Sequence, residues 1–361
     1  MTTKTDTGGV AEWRIDDTPF RLRHWASDVV HLLPTLEGVQ TTLGSDADIV
    51  LVDPDALVSH RHASITVERG RHVLRDLDSK NGVRVDGARR AMSLLEPGLE
   101  IVIGGITLIV ESERFVSLRS FVARLLGWRA ECLESVDLAL RAIRRAAARR
   151  GPLVLCGAGD LAALAHGLHR NTLGNERPFV VCDPRRREGE ATVRSAENYE
   201  TGLAAIQAAR GGTVCVWAKR LPRDYKAMNA SLLEPATRVQ KVVCAHQPAD
   251  SKGFEVTPVV VPPLSTRKDE LPHIVEEYAR DARASLGSEF PFASVDRDWI
   301  IAHSAETLPE IEKATMRVVA IRKAGSIAAA AELLGMSHTS LLRWLGRRRL
   351  PILGDRRPKA K

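Results

Sequence analysis

Between His31 and Glu111 the chain alternates short apolar runs with turn residues: DIVLVD, ASITVE, HVLRDL, VRVDG, EIVIGG and ITLIVE. Side chains along a strand point to opposite faces in turn, so this alternation buries one face and wets the other. Strands this short, spaced about ten residues apart with Gly and Asp between them, predict an all-β sandwich. A sandwich of that length leaves most of a 361-residue chain unaccounted for, so two or three domains are expected. The 44% hydrophobic content supplies apolar material for several cores. No apolar run approaches membrane-spanning length, and MTTKTDTGG at the N-terminus has no apolar stretch of signal-peptide type. A cytoplasmic protein without membrane partners is expected. Cys132, Cys156, Cys182, Cys215 and Cys244 are scattered singly without a CxxC pair, which predicts reduced thiols and no metal site.

Several residues in the first region carry a family resemblance. Gly44, the run Val58-Ser59-His60-Arg61-His62-Ala63, and the run Asp76-Leu77-Asp78-Ser79-Lys80-Asn81-Gly82 followed by Val85-Asp86-Gly87 resemble a forkhead-associated (FHA) domain over about eighty residues. That resemblance implies binding of a phosphothreonine peptide or protein by loops at one end of the sandwich. Ser59 would bond the phosphate, Asn81 would hold the ligand backbone, and His62 would brace the loop from inside. The chain departs from the family at three places. Ser45 stands where an arginine usually follows the glycine, His60 replaces the arginine after Ser59, and Lys80 replaces the threonine before Asn-Gly. A dianionic phosphate wants cationic or N–H donors, which Arg61 and Lys80 supply as replacements. The expected phosphopeptide set is therefore Ser45, Ser59, His60, Arg61, Lys80 and Asn81. A sandwich that keeps the loops without binding phosphate stays open as the alternative, because a bidentate arginine is missing.

From Arg114 to Arg150 the spacing is helical, as in LESVDLALRAIRRAAARR, and predicts a connecting helical linker with a solvated arginine face. From Gly151 the runs PLVLCG, PFVVCD, GGTVCVWA and VQKVVCAH alternate with helical spacing, which predicts a mostly parallel, buried sheet. Leu155 to Asp160, Ala165 with His166 and His169, Arg177 to Cys182, Ala208 to Pro222, and Val260 to Arg267 resemble, in that order, landmarks of the AAA+ domain of sigma-54-dependent enhancer-binding proteins. The chemistry of that family is missing. GxxxxGK[ST] is absent around Gly157, and Trp217 and Ala218 stand where the family has an acidic pair. No GAFTGA loop lies between Cys182 and Gly211, which argues against contact with the sigma-54 RNA polymerase. No catalytic residue and no cofactor are expected; ATP binding without hydrolysis through Gly157 and Gly159 stays open.

The stretch AGSIAAAAELLGMSHTSLLRWLGRRR, Ala324 to Arg349, reads as two short helices meeting at Gly335, capped by Ser326 and Ser337. Ile327, Ala330, Ala331 and Leu334 pack from the first helix and Met336, Leu341, Trp344 and Leu345 from the second, which predicts a helix-turn-helix. A preceding helix from Thr307 or Pro309 completes a resemblance to the Fis-type DNA-binding end of enhancer-binding proteins. Segment Arg343 to Lys361 holds eight basic residues and one acidic, and so carries the whole formal excess of +7. That charge fits double-stranded DNA through phosphate contact and counterion release. Ser337, His338, Thr339, Arg343, Arg347, Arg348 and Arg349 are the expected DNA-binding residues, and the apolar face of Pro309 to Arg322 is a candidate seam for a homodimer or higher oligomer.

The expected organisation is a tail over 1–26, an FHA-like β-sandwich over 27–113, a helical linker over 114–150, a degenerate AAA+-like α/β domain over 151–285, and an all-α helix-turn-helix domain with a basic tail over 286–361. The expected function is a DNA-binding transcriptional regulator whose FHA-like domain senses a phosphopeptide and whose AAA+-like domain is a catalytically dead scaffold. Two alternatives remain: a working sigma-54-dependent ATPase activator, and an FHA adaptor in a Ser/Thr kinase pathway.

Overall fold

The computed structural model describes residues 15, 17–149, 151–186, 196–234 and 236–346. The chain divides into two compact units, one reaching to Gly151 and including Leu168–Arg177, the other holding Pro152–Gly167 and the chain from Pro178 onward.

The first unit is built on two antiparallel-rich sheets. Strands β1 (Arg21–His24), β2 (Val30–Leu32), β7 (Val83–Val85), β8 (Ala88–Arg89), β10 (Glu100–Ile103) and β11 (Ile106–Glu111) form one sheet in the order β2-β1-β11-β10-β7-β8. Strands β3 (Gln40–Gly44), β4 (Ile49–Val50), β5 (Ala63–Glu68), β6 (Arg71–Asp76) and β9 (Met92–Leu94) form the other in the order β4-β3-β5-β6-β9. The alternation does what the pattern requires: Ala63 and Ile65 of β5 and Ile101 and Ile103 of β10 are fully buried, together with Leu22, Leu43, Leu51, Leu108 and Val110.

Strand β1 lies inside the stretch read from sequence as an N-terminal tail. It pairs with β11 and β2, with Leu22 opposite Val110. Its pattern was illegible because the residue next to Leu22 that is also buried is an arginine. Arg23 Nε donates to Glu111 Oε1 at 2.6 Å, and its two terminal nitrogens donate to Asp137 at 2.5 and 3.0 Å. A buried guanidinium is tolerated only when its donors are this fully matched.

Asp137 belongs to α2 (Leu133–Arg149), which follows α1 (Glu113–Leu126), itself capped by Ser112 Oγ accepting from Phe115 N. Two arginines of α2 are not part of an idle solvated face. Arg141 makes two hydrogen bonds to Glu100, at 2.6 and 2.7 Å, and packs 4.0 Å from the Trp25 ring centroid, while Arg144 engages Asp86. The two helices are thereby part of the first unit rather than a free connector.

The second unit contains β12 (Leu153–Cys156), α3 (Leu161–Leu173, whose last turns fall in the first unit), β13 (Phe179–Cys182), β14 (Glu197–Tyr199), α4 (Gly202–Ala208), β15 (Thr213–Trp217), α5 (Tyr225–Leu233), β16 (Gln240–Ala245) and β17 (Val259–Val260). Among the described residues every pairing is parallel and the order is β14-β13-β15-β16-β12-β17. Strands β12, β13 and β15 are buried throughout, which is why they read as continuous apolar runs rather than alternating ones.

Among the described residues five helices follow: α6 (Leu271–Leu286), α7 (Ser294–His303), α8 (Leu308–Ala324), α9 (Ile327–Leu333) and α10 (His338–Gly346). Thr307 caps α8, and that helix packs on α6, α7 and α9 within the same chain. Its apolar residues Ile311, Ala314, Val318, Val319 and Ile321 are all buried there, so the face read as a candidate seam packs within one chain. Between α9 and α10 Gly335 adopts φ +59°, and Ala330, Leu334, Leu341, Trp344 and Leu345 are buried. No helix among the described residues is long and apolar enough to cross a membrane.

Candidate functional site

Three segments converge at one end of the sandwich: the end of β3, the loop from Leu57 to His62, and the turn from Ser79 to Gly82. The first two are held in near contact by the absence of a side chain. A Cβ on Gly44 would collide with the His60 carbonyl oxygen and stand 2.8 Å from that of Ser59. Hydrogen bonds zip the same segments together: Ser45 N to Ser59 O at 3.1 Å, Asp46 N to His60 O at 3.0 Å, and His62 N to Leu43 O at 2.8 Å. Before them, Asp53 accepts from the backbone N–H groups of Gly105, Leu57 and Asp55. The Gly105 bond is the main reason its carboxyl stays below the usual carboxylate range.

His62 joins the second segment to the third. It is fully buried, and its Nδ1 accepts from Ser59 N at 3.0 Å, which fixes the proton on Nε2, 3.2 Å from the Gly82 carbonyl oxygen. Ser59 Oγ accepts from Lys80 N at 3.3 Å, and Asn81 Nδ2 donates to Leu57 O at 2.8 Å. The turn is closed from below by Ser79, which donates to Asp76 at 2.5 Å and accepts from Gly82 N at 3.0 Å. Ser59 is half-buried, whereas Ser45, His60, Arg61, Lys80 and Asn81 are exposed around it. All six residues singled out from sequence thus lie on one loop cluster. Arg61 stands near Asp48, whose carboxyl is lowered chiefly by the Thr42 backbone N–H. The side chains of Arg61 and Lys80 make no ion pair among the described residues.

A further cation, missed in the sequence, is brought to the same place. The Arg89 guanidinium lies over Gly82, where a Cβ would be 2.8 Å from its Cζ and Nη2 atoms. Only the pairing of β8 with β7 and the bare face of Gly82 produce that neighbour.

Residues 41–104 match the family described as FHA domain. The chain carries an FHA domain. The matched stretch runs from β3 to the turn after β10 and leaves β1, β2 and β11 outside it. Solved structures similar to this chain include an FHA domain from a study of phosphothreonine-dependent FHA interactions, with 31% identity, 27% of this chain and 98% of that one covered, and a TM-score of 0.24. The FHA domain of CT664 from Chlamydia trachomatis has 29% identity, 26% and 98% coverage and a TM-score of 0.24. Mycobacterium tuberculosis EmbR in complex with a low affinity phosphopeptide has 32% identity, 26% and 24% coverage and a TM-score of 0.23. Comparison with curated protein sequences gives no significant match.

The residues predicted from sequence outside the FHA domain lie in the second unit. Gly157 and Gly159 line a cavity of about 450 Å³ at the C-terminal ends of β12, β16 and β17, with His246, Val261, Glu306 and Leu308 among its other walls. No lysine or arginine lines it among the described residues. The Gly157 N–H, one of the two groups available to a phosphate, donates instead to Ala245 O at 3.1 Å. Lys313 bonds Asp160 at 2.9 Å. Trp217 is buried, 5.1 Å from the His246 ring centroid, and offers no acidic group. Among the described residues no group of three or more His, Cys, Asp or Glu is placed to hold a metal ion.

On α10, His338, Thr339 and Arg343 are exposed, and Ser337 before it accepts from Ser340 N at 3.2 Å. Arg347, Arg348 and Arg349 lie outside the described residues.

Proposed function

We propose that the protein recognises phosphothreonine in a partner protein through its FHA domain, and that the second unit is a non-catalytic α/β body whose C-terminal helices bind double-stranded DNA. The observation that carries the first part is the His62 clamp, which holds Ser59, the Lys80 N–H and Asn81 on one rim with the side chains of Arg61 and Lys80 unpaired beside them. A phosphate there meets a hydroxyl, a backbone N–H and cationic donors, which together offset the arginine missing at Ser45. Titration of a fluorescent phosphothreonine peptide into the full chain tests this. Saturable binding that vanishes for the unphosphorylated peptide and for Asn81→Ala is expected; equal affinity for the two peptides would remove the idea.

The DNA reading is supported by exposed His338, Thr339 and Arg343 on a short helix leading directly into an arginine run. In this reading the arginines contact phosphates and His338 and Thr339 face base edges. Affinity for duplex DNA should fall steeply with salt, and truncation at Leu342 should abolish it. A flat salt dependence favours instead an FHA adaptor without a DNA partner. The lining of the cavity at Gly157 and Gly159, which holds Glu306 and neither lysine nor arginine among the described residues, supports a scaffold role over an ATP-driven activator, since a triphosphate would meet a carboxylate and no strong cation there.

A further inference from the structure

Strands β7 and β8 carry an arrangement that the phosphothreonine reading does not use. Arg84 and Arg89 are direct cross-strand partners, and Arg90 follows. All three are exposed, and their side chains make no hydrogen bond or ion pair among the described residues. The hairpin's single acid, Asp86, is already engaged by Arg144 and by the Glu100 N–H. Like charges directly opposite each other on a two-stranded ribbon repel. Here the repulsion falls on β8, the edge strand of its sheet, with no neighbour beyond it to share the charge. An anion seated between the two guanidiniums would relieve it, and the planar fork of arginine suits a carboxylate or phosphate in two-point contact.

The position of this pair is as informative as its charge. Arg89 rests on Gly82, the residue after Asn81, and Gly82 O is bonded to the same imidazole that holds Ser59 N. Arg89, with Arg84 opposite it, therefore borders the rim on which the phosphothreonine would sit, since the Gly82 it covers is joined to Ser59 through one imidazole and its two hydrogen bonds. An extended peptide advances about 3.3 Å per residue, so a side chain a few residues from the phosphothreonine spans that separation.

We propose that Arg84 and Arg89 form a second anion subsite that takes a carboxylate or a second phosphate from the same peptide, making the FHA domain selective for phosphothreonine in an acidic or doubly phosphorylated context. This inference rests on the phosphothreonine reading. It is tested on the full chain with three peptides of one sequence, carrying phosphothreonine with neutral neighbours, with aspartates at neighbouring positions, or with a second phosphothreonine. Four proteins are compared: wild type, Arg84→Gln/Arg89→Gln, Asn81→Ala, and Arg69→Gln/Arg71→Gln, whose charges lie at the opposite end of β5 and β6.

Wild type should bind one or both acidic peptides about tenfold more tightly than the neutral one. The aspartate and diphosphorylated arms then tell which anion is preferred. Arg84→Gln/Arg89→Gln should lose that preference, binding all three peptides with one affinity whatever loss is common to them, and Arg69→Gln/Arg71→Gln should retain it. No preference in wild type, or a preference that survives Arg84→Gln/Arg89→Gln, overturns the subsite and leaves phosphothreonine recognition standing. Failure of every peptide to bind overturns both.

Discussion

The loop end of the FHA domain and the glycine turn after β12 are two places where backbone and small residues are shaped as if for an anion. They differ in what surrounds that shape. At the first, Arg61, Lys80, Arg84 and Arg89 stand exposed with no carboxylate bonded to them among the described residues. At the second, no lysine or arginine lines the cavity among the described residues, the Gly157 N–H is spent on the sheet, and Lys313 is bound to Asp160. A glycine turn with no lysine or arginine beside it lacks the countercharge that a phosphate requires. Backbone contour alone is thus a poor guide to phosphate chemistry, and the supply of uncommitted cations separates the two sites.

The largest effect expected from breaking this contrast is at Gly44. Its Cβ would have to enter the space of the His60 carbonyl, a backbone atom that cannot swing aside. Gly44→Ala should cost the first unit about 3 kcal/mol in urea denaturation, in the range for overpacking a tight site, and abolish phosphopeptide binding. Gly159→Ala is the counterpart in the second unit. Its Cβ would meet only the Thr307 side chain at 3.0 Å, so the φ of +83° sets a cost of about 1–2 kcal/mol. A loss at Gly159 as large as at Gly44 would show that the glycine turn is as tightly constrained as the FHA loop end.

A smaller change separates charge from shape. Arg61→Gln/Lys80→Gln removes two exposed cations without touching the His62 clamp. Affinity for a phosphothreonine peptide should fall about tenfold while stability changes by less than about 0.5 kcal/mol. In the second unit a fluorescent ATP analogue should show no saturable binding. Saturable binding lost in Gly159→Ala would mean that the cavity recruits its cation elsewhere, and the contrast would collapse.

These sites were unequally legible in the sequence. The FHA loops could be read because their residues act within short runs: Ser59, His62, Ser79 and Asn81 bond partners no more than 24 residues away. The parallel sheet could be read because strands covered on both faces become apolar throughout. Arg23 could not, since the groups that make its burial tolerable are 88 and 114 residues distant. The same holds for Arg141 and Arg144, which helical periodicity alone assigns to solvent while their partners Glu100 and Asp86 sit on another element. Arg89 was hidden for a different reason. Its importance comes from a side chain that Gly82 lacks, and a missing atom leaves no pattern in a sequence. Strands β14 and β17, three and two residues long, are too brief to show any period.

The weakest expected effect concerns a cation that the second unit does possess, held away from the glycine turn. Lys241 of β16 points its Nζ at Asn229 Oδ1 (2.7 Å) and the Tyr225 hydroxyl (3.2 Å), with the rings of Tyr225 and Phe254 at 5.3 and 6.0 Å. Burial without a carboxylate lowers its pKa to about 8, from an ordinary lysine value of about 10.4. Between those two values the unfolded chain binds more protons at this site than the folded one, so stability from Lys241 rises with pH across that interval and is flat below it. Wild type should therefore gain roughly 1 kcal/mol relative to Lys241→Met between pH 7.5 and pH 9.5, the full linkage being discounted for the lysine's remaining solvent contact. Urea denaturation of both proteins at the two pH values isolates the difference, because the other titrating groups are common to both. Parallel pH profiles would mean that Lys241 keeps its charge through contacts with water or another partner. The second unit would then hold an accessible cation after all, and the distinction from the FHA domain would have to rest on the position of that cation rather than on its availability.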